Sequence, residues 1–385
     1  MEYKKLDDIA KLIGGYAFKS SKHVSECIRV IRIANVQDGY ISDDFPCFYP
    51  KSIIEELGDA NLNENDLLMS LTGNVGRVGI LQKEMLPAGL NQRVECIRPY
   101  KEADKKYLFY YFKSNSFIQD ALSNSNGIAQ LNMSTVWLAN KKIPIYSDSK
   151  QKEIVSILDK INAIIDADKK QLELLDEAVK SRFIEMFGDP VLNSKKYETI
   201  ELSSLGYFNR GRSQHRPRND SILLGGPYPL IQTGEIANAD TYVNTYEQTY
   251  SEEGLKQSKM WPKGTLCITI AANIAKTAIL NIDACFPDSI IGLIPSENVT
   301  AIFLHNWFKF FQPILEKQAP AAAQKNLNGT TLGKVQVILP PINEQNKFDY
   351  FAELIDKSKF NVQQHLNLMQ ELLDNKMDEF FGGKE

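Results

Sequence analysis

Two stretches of the chain repeat apolar side chains every three or four residues, with neither proline nor glycine until each closes on Phe-Gly. Between 151 and 187 they fall at Ile154, Ile157, Ile161, Ile164, Leu172, Leu175, Val179, Phe183 and Met186. Between 345 and 381 they fall at Phe348, Phe351, Ile355, Val362, Leu366, Met369, Leu373 and Phe380. Such spacing lays one apolar stripe along an amphipathic helix. At ~1.5 Å per residue each helix spans on the order of 55 Å. A helix of that length relies on packing for its stability, so each stripe needs a partner, and the simplest partner is the other helix. One follows the first half of the sequence and the other follows the second, which makes an antiparallel pair the economical arrangement. Asp168, Ser358 and His365 fall on or near the stripes and read as solvated flanks or register-fixing polar positions.

The remainder alternates short apolar runs with Gly, Pro, Asn and Asp. The runs CIRVIRIANV, LCITI, TAILNI, SIIGLI and VQVIL predict strands bounded by turns. The aromatic-rich stretches 105–122 and 301–315 predict helices packed on them, so each half reads as mixed α/β. The two halves follow one plan. DLLMSLTGNVGRVGIL (66–81) aligns without a gap to TLCITIAANIAKTAIL (265–280), and QLNMSTVWLANKKIP (130–144) to NLNGTTLGKVQVILP (326–340). KQKEIVSILDKI and NKFDYFAELIDKS then open the two helices in the same order. Three matches in one order at nearly one offset indicate an internal duplication, with a period too long for a solenoid. The expected divisions are a first domain over 1–148, a central helix over 149–189, a second domain over 190–342 and a last helix over 343–385.

Composition narrows the class. With 43% hydrophobic and 24% charged residues among 385, the chain is an ordinary globular one. The start, MEYKKLDDIAKLIGG, has no apolar core of a secretory signal, and no apolar run approaches the roughly 20 residues of a membrane span. The expectation is a cytoplasmic protein with no membrane partner. Five scattered cysteines without a CxxC pair indicate neither a disulfide framework nor a zinc knuckle. The net charge of −4 conceals a segregation. Residues 151–189 hold six Lys/Arg against nine Asp/Glu, and 343–385 hold five against nine, a net −7 that leaves the rest of the chain at +3.

Several enzyme signatures are approached and each fails. GTTLGKV (329–335) has three residues between its glycines and no Ser/Thr after Lys334, so it is not a P-loop. LPPI (339–342) lacks the polar first residue and aromatic last residue of an amino-methyltransferase motif. Pro287-Asp288 has no ExK to complete a nuclease metal site. The four histidines have no metal-ligand spacing, and GxSxG, HExxH and GxGxxG are missing. No catalytic residue and no metal ligand is therefore expected.

What the sequence offers suits DNA. RGRSQHRPR places Arg210, Arg212, Gln214, Arg216 and Arg218 in one run with no acid before Asp220. Arginine contacts phosphates and guanine, and Gln and Asn can read adenine. The first half has the milder YAFKSSKH, with Lys19 and Lys22. Asn74 with Arg77, and Asn273 with Lys276, place an amide and a cation on the same turn in both halves. Asn91, Gln92 and Arg93 add to the first half, and Gln324, Lys325 and Asn326 to the second. The alternatives from other classes are a stand-alone DNA-modifying or DNA-cleaving enzyme with an unrecognised motif, and a pure coiled-coil scaffold.

In this order and duplication the segments resemble the specificity subunits of Type I restriction–modification systems. The residues that carry the resemblance are DLLMSLTGNVGRVGIL with LNQRVECIRP, YPLIQTGEI (228–236), TAILNIDACF with SIIGLIP, and IP…KQKEIVSILDKI and LPPINEQNKF, each running to FG. The first helix departs from the family in lacking the fuller PP-x-x-EQ opening, and AANIAKT replaces a more glycine-rich turn. The resemblance implies α/β (α+β) target recognition domains, two in tandem duplication, separated by two long helices forming an antiparallel coiled coil. It implies that each domain reads one half of a bipartite site in double-stranded DNA. The helix pair would set the spacer and dock two modification (methyltransferase) subunits, with restriction (endonuclease/translocase) subunits joining for cleavage. S-adenosylmethionine, ATP and magnesium would then sit on those partners, and no cofactor on this chain.

Overall fold

A computed structural model describes residues 1–127, 131–271, 274–318 and 328–382. By internal contacts the chain divides into two units, Met1–Lys169 with Gln364–Glu385, and Lys170–Gln363. Each unit holds one mixed domain and a stretch of both long helices.

In the first unit a five-stranded sheet runs in the order Ala10–Gly14, Val94–Pro99, Leu67–Ser70, Val78–Ile80, Gly39–Tyr40. All its neighbours are antiparallel except the last pair, which is parallel. The run Leu67–Ser70 is buried at every position because both faces of this central strand are covered. Successive side chains alternate between them. Leu67, Met69 and Ile97 enter a core with Tyr107, Leu108 and Phe112 of the helix Lys105–Lys113. Leu68, Val94 and Cys96 enter a second core under the three-stranded sheet Phe48–Tyr49, Ile28–Ile31, Ala88–Leu90.

The second unit repeats this topology. Its five-stranded sheet is ordered Gly206–Arg210, Ile290–Pro295, Leu266–Thr269, Thr277–Leu280, Tyr242–Val243, again with only the last pair parallel. Leu67 pairs with Ile80 and Ile97, and Leu266 with Ile279 and Leu293. The duplication read from the sequence is thus a duplication of strand register.

The long helices are Asp148–Phe187 and Ile342–Phe381. Within the first unit Ile154 and Leu158 share a core with Met377, Phe380 and Phe381, and Asp168 meets His365 at 2.7 Å. Within the second, Phe183 and Phe187 pack on Phe348, and Lys359 bonds Asp176 at 2.6 Å. In both, residue numbers rise along one helix as they fall along the other, so the helices pair antiparallel. The buried stripe differs in one detail from the expected one. Ile164 is 39% exposed, whereas Leu158 and Ile165 are buried. The covered face continues from Ile154 and Ile161 through Leu158, Ile165 and Asp168, a step of seven at a time, and Ile164 falls on its outer flank. No described helix is long and apolar enough to cross a membrane.

One device fixes each domain to its helix. Gln151 is buried, and its amide donates to the carbonyls of Glu102 (3.0 Å) and Tyr146 (2.8 Å) while accepting from the N–H of Asp104 (2.8 Å). Gln345 does the same with Asn298 (3.1 Å), Pro340 (2.8 Å) and Thr300 (3.0 Å). Asp104 and Thr300 in turn cap the helices Lys105–Lys113 and Ala301–Gln318, accepting from Tyr107 and Phe303.

Candidate nucleic-acid interface

The turn 71–77 leaves the strand Leu67–Ser70 and returns as Val78–Ile80. Its closure depends on backbone bonds, Ser70 N–H to Arg77 O (2.9 Å) and Gly76 N–H to Ser70 O (3.0 Å), with Gly76 at φ +80. In the second unit Thr269 N–H meets Lys276 O (2.9 Å) and Ala275 N–H meets Thr269 O (2.8 Å), with Ala275 at φ +57. An alanine therefore holds the left-handed position that glycine fills more readily. Gly73 and Gly76 serve the turn and Gly79 lies in the strand that follows, and at the place of Gly76 the second unit closes on Ala275 instead.

Around that turn in the first unit, other loops gather at one end of the sheet. Leu71 N–H donates to Arg93 O at 3.0 Å, Tyr16 N–H to Leu90 O at 2.7 Å, and Gln92 N–H to Tyr16 O at 3.1 Å. Gly15 packs so closely on Asn91 that a Cβ there would lie 2.2 Å from its carbonyl. Asn91, Gln92 and Arg93 are thereby held beside the loop that carries Lys19 and Lys22, both exposed. Asn91 Oδ1 accepts from Arg93 N–H (3.2 Å) and is spent on its own turn, leaving Gln92 and Arg93 outward. Asn74 is exposed, and Arg77 donates to Gln37 Oε1 at 3.1 Å. These two face a groove of about 1050 Å³ shared with Lys113, Asn162, Lys169 and Gln370, with Asp38, Asp166 and Asp374 also on its walls.

The second unit builds the same end. Arg212 N–H donates to Phe286 O (3.2 Å), Gly211 N–H to Ile290 O (2.9 Å) and Ile270 N–H to Ser289 O (3.0 Å). The arginine run is fixed from below: Ser258 Oγ donates to Arg212 O (2.9 Å), and Gln257 Oε1 accepts from the N–H groups of Gln214 (2.7 Å) and His215 (3.1 Å). Arg210, Arg212, Gln214, Arg216 and Arg218 all remain exposed. The charge is less free than the local sequence suggests. Arg218 meets Asp288 at 2.6 Å and Arg216 lies 3.8 Å from the same carboxylate, an acid that sequence distance hides. Arg212 donates to Gln214 at 3.0 Å. His215 meets Asp220 at 3.0 Å, and the Ile222 N–H and His215 together hold that carboxyl below its usual range. Lys276 is exposed on its turn. Asn273, Gln324, Lys325 and Asn326 lie outside the described residues.

Sequence reasoning passed over three participants. Lys259 sits 3.9 Å from the Tyr207 ring centroid and 4.2 Å from that of Trp261, and its hydrogen bond with the Tyr207 phenol, with one from Asn209, lowers that phenol's pKa. Asp288 pins two arginines. Glu95, two residues beyond Arg93, is buried, and burial pushes its carboxyl up to about 7. None carries a motif; Lys259 and Asp288 come from loops beside the arginine run and Glu95 from a strand interior. Among the described residues no group of three or more His, Cys, Asp or Glu could hold a metal ion. Chemically, the arrangement offers cations, amides and carboxylates from rigid strand ends, groups that can pair with charge and hydrogen-bond.

The family model described as Type I restriction modification DNA specificity domain matches residues 1–177 and 194–368. A putative type I restriction enzyme MjaX specificity subunit of Methanocaldococcus jannaschii is 24% identical over 379 residues, covering 92% of this chain and 86% of that protein. The type I restriction enzyme EcoBI specificity subunit of Escherichia coli is 25% identical over 394 residues, covering 94% and 80%. Among solved structures, the S subunit of a Type-I restriction-modification system from M. genitalium superposes with a TM-score of 0.59 at 14% identity, over 100% of this chain and 96% of that one. A structure described for complex assembly and conformational transition of the type I R-M system gives 0.56 at 16% identity, over 99% and 97%.

Proposed function

The chain belongs to the Type I restriction modification DNA specificity family, and we propose from that premise that it is the non-catalytic subunit that gives such a complex its DNA sequence. Each domain reads one half of a bipartite site, and the helix pair sets the spacer and docks the modification subunits. The observation that carries this reading is the repeated strand-end cluster: two domains of one topology present loops of cations and amides from the same end of the same sheet. Phosphate contacts from Lys19, Lys22, Arg212, Arg216 and Lys276 supply affinity, and Asn74, Gln92, Arg93, Arg210 and Gln214 supply base readout. Asn273, Gln324, Lys325 and Asn326, outside the described residues, belong to the same proposal, as do Arg77, Asn91 and Arg218 in supporting places.

The helix pair also has apolar positions that the pairing leaves uncovered. Tyr350 (67% exposed), Leu354, Leu368 (60%) and Leu372 lie on the outside of the last helix. They suit further helices from a methyltransferase partner. S-adenosylmethionine, ATP and magnesium are assigned to the modification and restriction subunits, and the complex to the cytoplasm where DNA is reached. The test is an exchange of residues 1–142 for the first domain of another family member. With purified modification subunits, methylation mapping is expected to show one half-site replaced and the other half and the spacer kept. Replacement of both halves, or of neither, would overturn the modular reading.

A further inference from the structure

Phe45 and Tyr246 occupy the same place in the two units. Ile28 pairs across to Tyr49, and Tyr228 to Tyr250, so the smaller sheets of the two domains share a register. Phe45 precedes Tyr49 by four residues, and Tyr246 precedes Tyr250 by four. Both aromatics are exposed, Phe45 at 83% and Tyr246 at 45%. One exposed ring would ask for no explanation, but two at one register place in diverged copies do. Phe45 is also held where it stands. Its backbone has φ +56, a conformation that a bulky side chain takes only where its surroundings fix it. Arg32 donates to its carbonyl at 2.7 Å, Arg29 grips both oxygens of Asp43 (2.8 and 3.0 Å), and Ser42 Oγ donates to Asp44 at 2.6 Å.

The backbone bonds beside each ring lead to the loops that carry the cations and amides. In the first unit Val30 N–H donates to Cys47 O (2.8 Å) and Asn91 N–H to Ile31 O (3.0 Å), so Phe45 stands at the sheet end from which Asn91–Arg93 leave. In the second, Leu230 pairs with Gln248, Ile231 N–H donates to Cys285 O (2.8 Å) and Arg212 N–H to Phe286 O (3.2 Å). Tyr246 thereby stands toward the end from which the arginine run leaves. Duplex DNA offers a ring two apolar surfaces, the thymine methyl at the groove wall and the faces of the stacked bases. A methyl covers one edge of a ring. A ring that stands clear of the protein over 83% of its surface buries its whole area only between bases. Apolar wedges enter there, most easily at deformable pyrimidine–purine steps.

We propose that Phe45 and Tyr246 are the apolar wedges of the two domains, each inserting at one base step of its half-site. The proposal rests on the DNA-reading function given above and adds readout of deformability to it. A pyrimidine–purine step, which opens at the least cost, is selected in each half without a hydrogen bond to a base edge.

The full-length chain is assembled with its modification subunits, and its site is mapped by methylation of a randomised DNA library. 2-Aminopurine is then placed in turn at each purine of duplexes that carry the site. Its fluorescence is expected to rise on binding at one step of each half, away from the methylated base. Phe45→Ala is expected to abolish the rise in the first half alone and to weaken binding about tenfold. Tyr246→Ala is expected to do the same in the second half. Phe45→Leu and Tyr246→Phe keep a wedge and are expected to keep the rise. Each alanine variant decides for its own domain: a rise that survives it, with binding within twofold of wild type, overturns the wedge there. Loss of a thymine preference with no rise at any step overturns it in favour of a methyl contact. A folded variant that no longer joins the modification subunits on gel filtration overturns it in favour of a protein contact. A wild-type complex without sequence preference would overturn the function itself, whereas a sequence-specific one with no brightened step overturns the wedges alone.

Discussion

Gln345 satisfies three backbone groups with one side chain, and Gln151 repeats the arrangement. The bonds are buried or partly buried, so removing the amide leaves two carbonyls and an N–H without their partner at once. Gln345→Leu keeps the volume and is expected to cost about 3 kcal/mol in urea denaturation; a cost under about 0.5 would mean that the three groups find other partners. Glu95 gives a prediction of opposite sign. Its folded pKa stands at about 7 because burial disfavours the charge, above the ordinary 4.5. The unfolded chain therefore ionises first, and stability falls as pH rises from near 4.5 through 7. Glu95→Gln removes that loss and is expected to be more stable than wild type by about 1–3 kcal/mol at pH 8, with little difference at pH 4. Thermal melts across that range check it, and a gain that does not grow with pH would place the cost of Glu95 elsewhere.

At the level of elements, the two domains meet their helices by different means despite a common topology. In the second unit Lys359 bonds Asp176 at 2.6 Å and also reaches Asp240, while Thr241 donates to Asp356 at 3.3 Å. Burial would pull the Lys359 ammonium down, but Asp176 and Asp240 outweigh it and hold it above its usual value. In the first unit the matching helix positions are Ile165, Asn162 and Gln370, and the matching strand-end acid, the exposed Asp38, meets among the described residues only Lys113, at 3.3 Å. Lys359→Met is expected to cost about 1–3 kcal/mol after allowance for the half-exposed aspartates, and Asp38→Asn less than about 0.5. Hydrogen exchange should show the first change loosening the helix segment 342–363; equal protection in both variants would sink the distinction. The helices themselves were legible because a period of three to four over 37 residues has few other readings, yet Ile164 and Ile165 could not be told apart by that period alone. The duplication was legible because the turn pattern outlasted its glycines, as Ala275 shows. The charge balance of the arginine run was not, since Asp288 joins it from 70 residues away through the sheet. Glu95 was hidden for the same reason, lying inside what reads as an ordinary strand.

For the molecule as a whole, the two long helices are the only elements among the described residues that run through both units, and under the proposed function the spacer of the DNA site follows from helix length. Lys169 and Gln363 are the last residues before the chain passes from one unit to the other on each helix. Seven residues inserted after each would return the apolar faces to nearly the same azimuth, since two turns of 3.5 residues keep the seam of a coiled pair. The insertion lengthens each helix by ~10 Å, about three base-pair steps of ~3.4 Å along DNA. Methylation mapping is expected to return both half-sites unchanged, with a spacer longer by about three base pairs. An insertion of four residues instead rotates the faces and is expected to abolish assembly with the modification subunits, measured by gel filtration. A spacer that stays the same length after the heptad insertion would show that the distance between half-sites is set by the partner subunits and not by this helix pair.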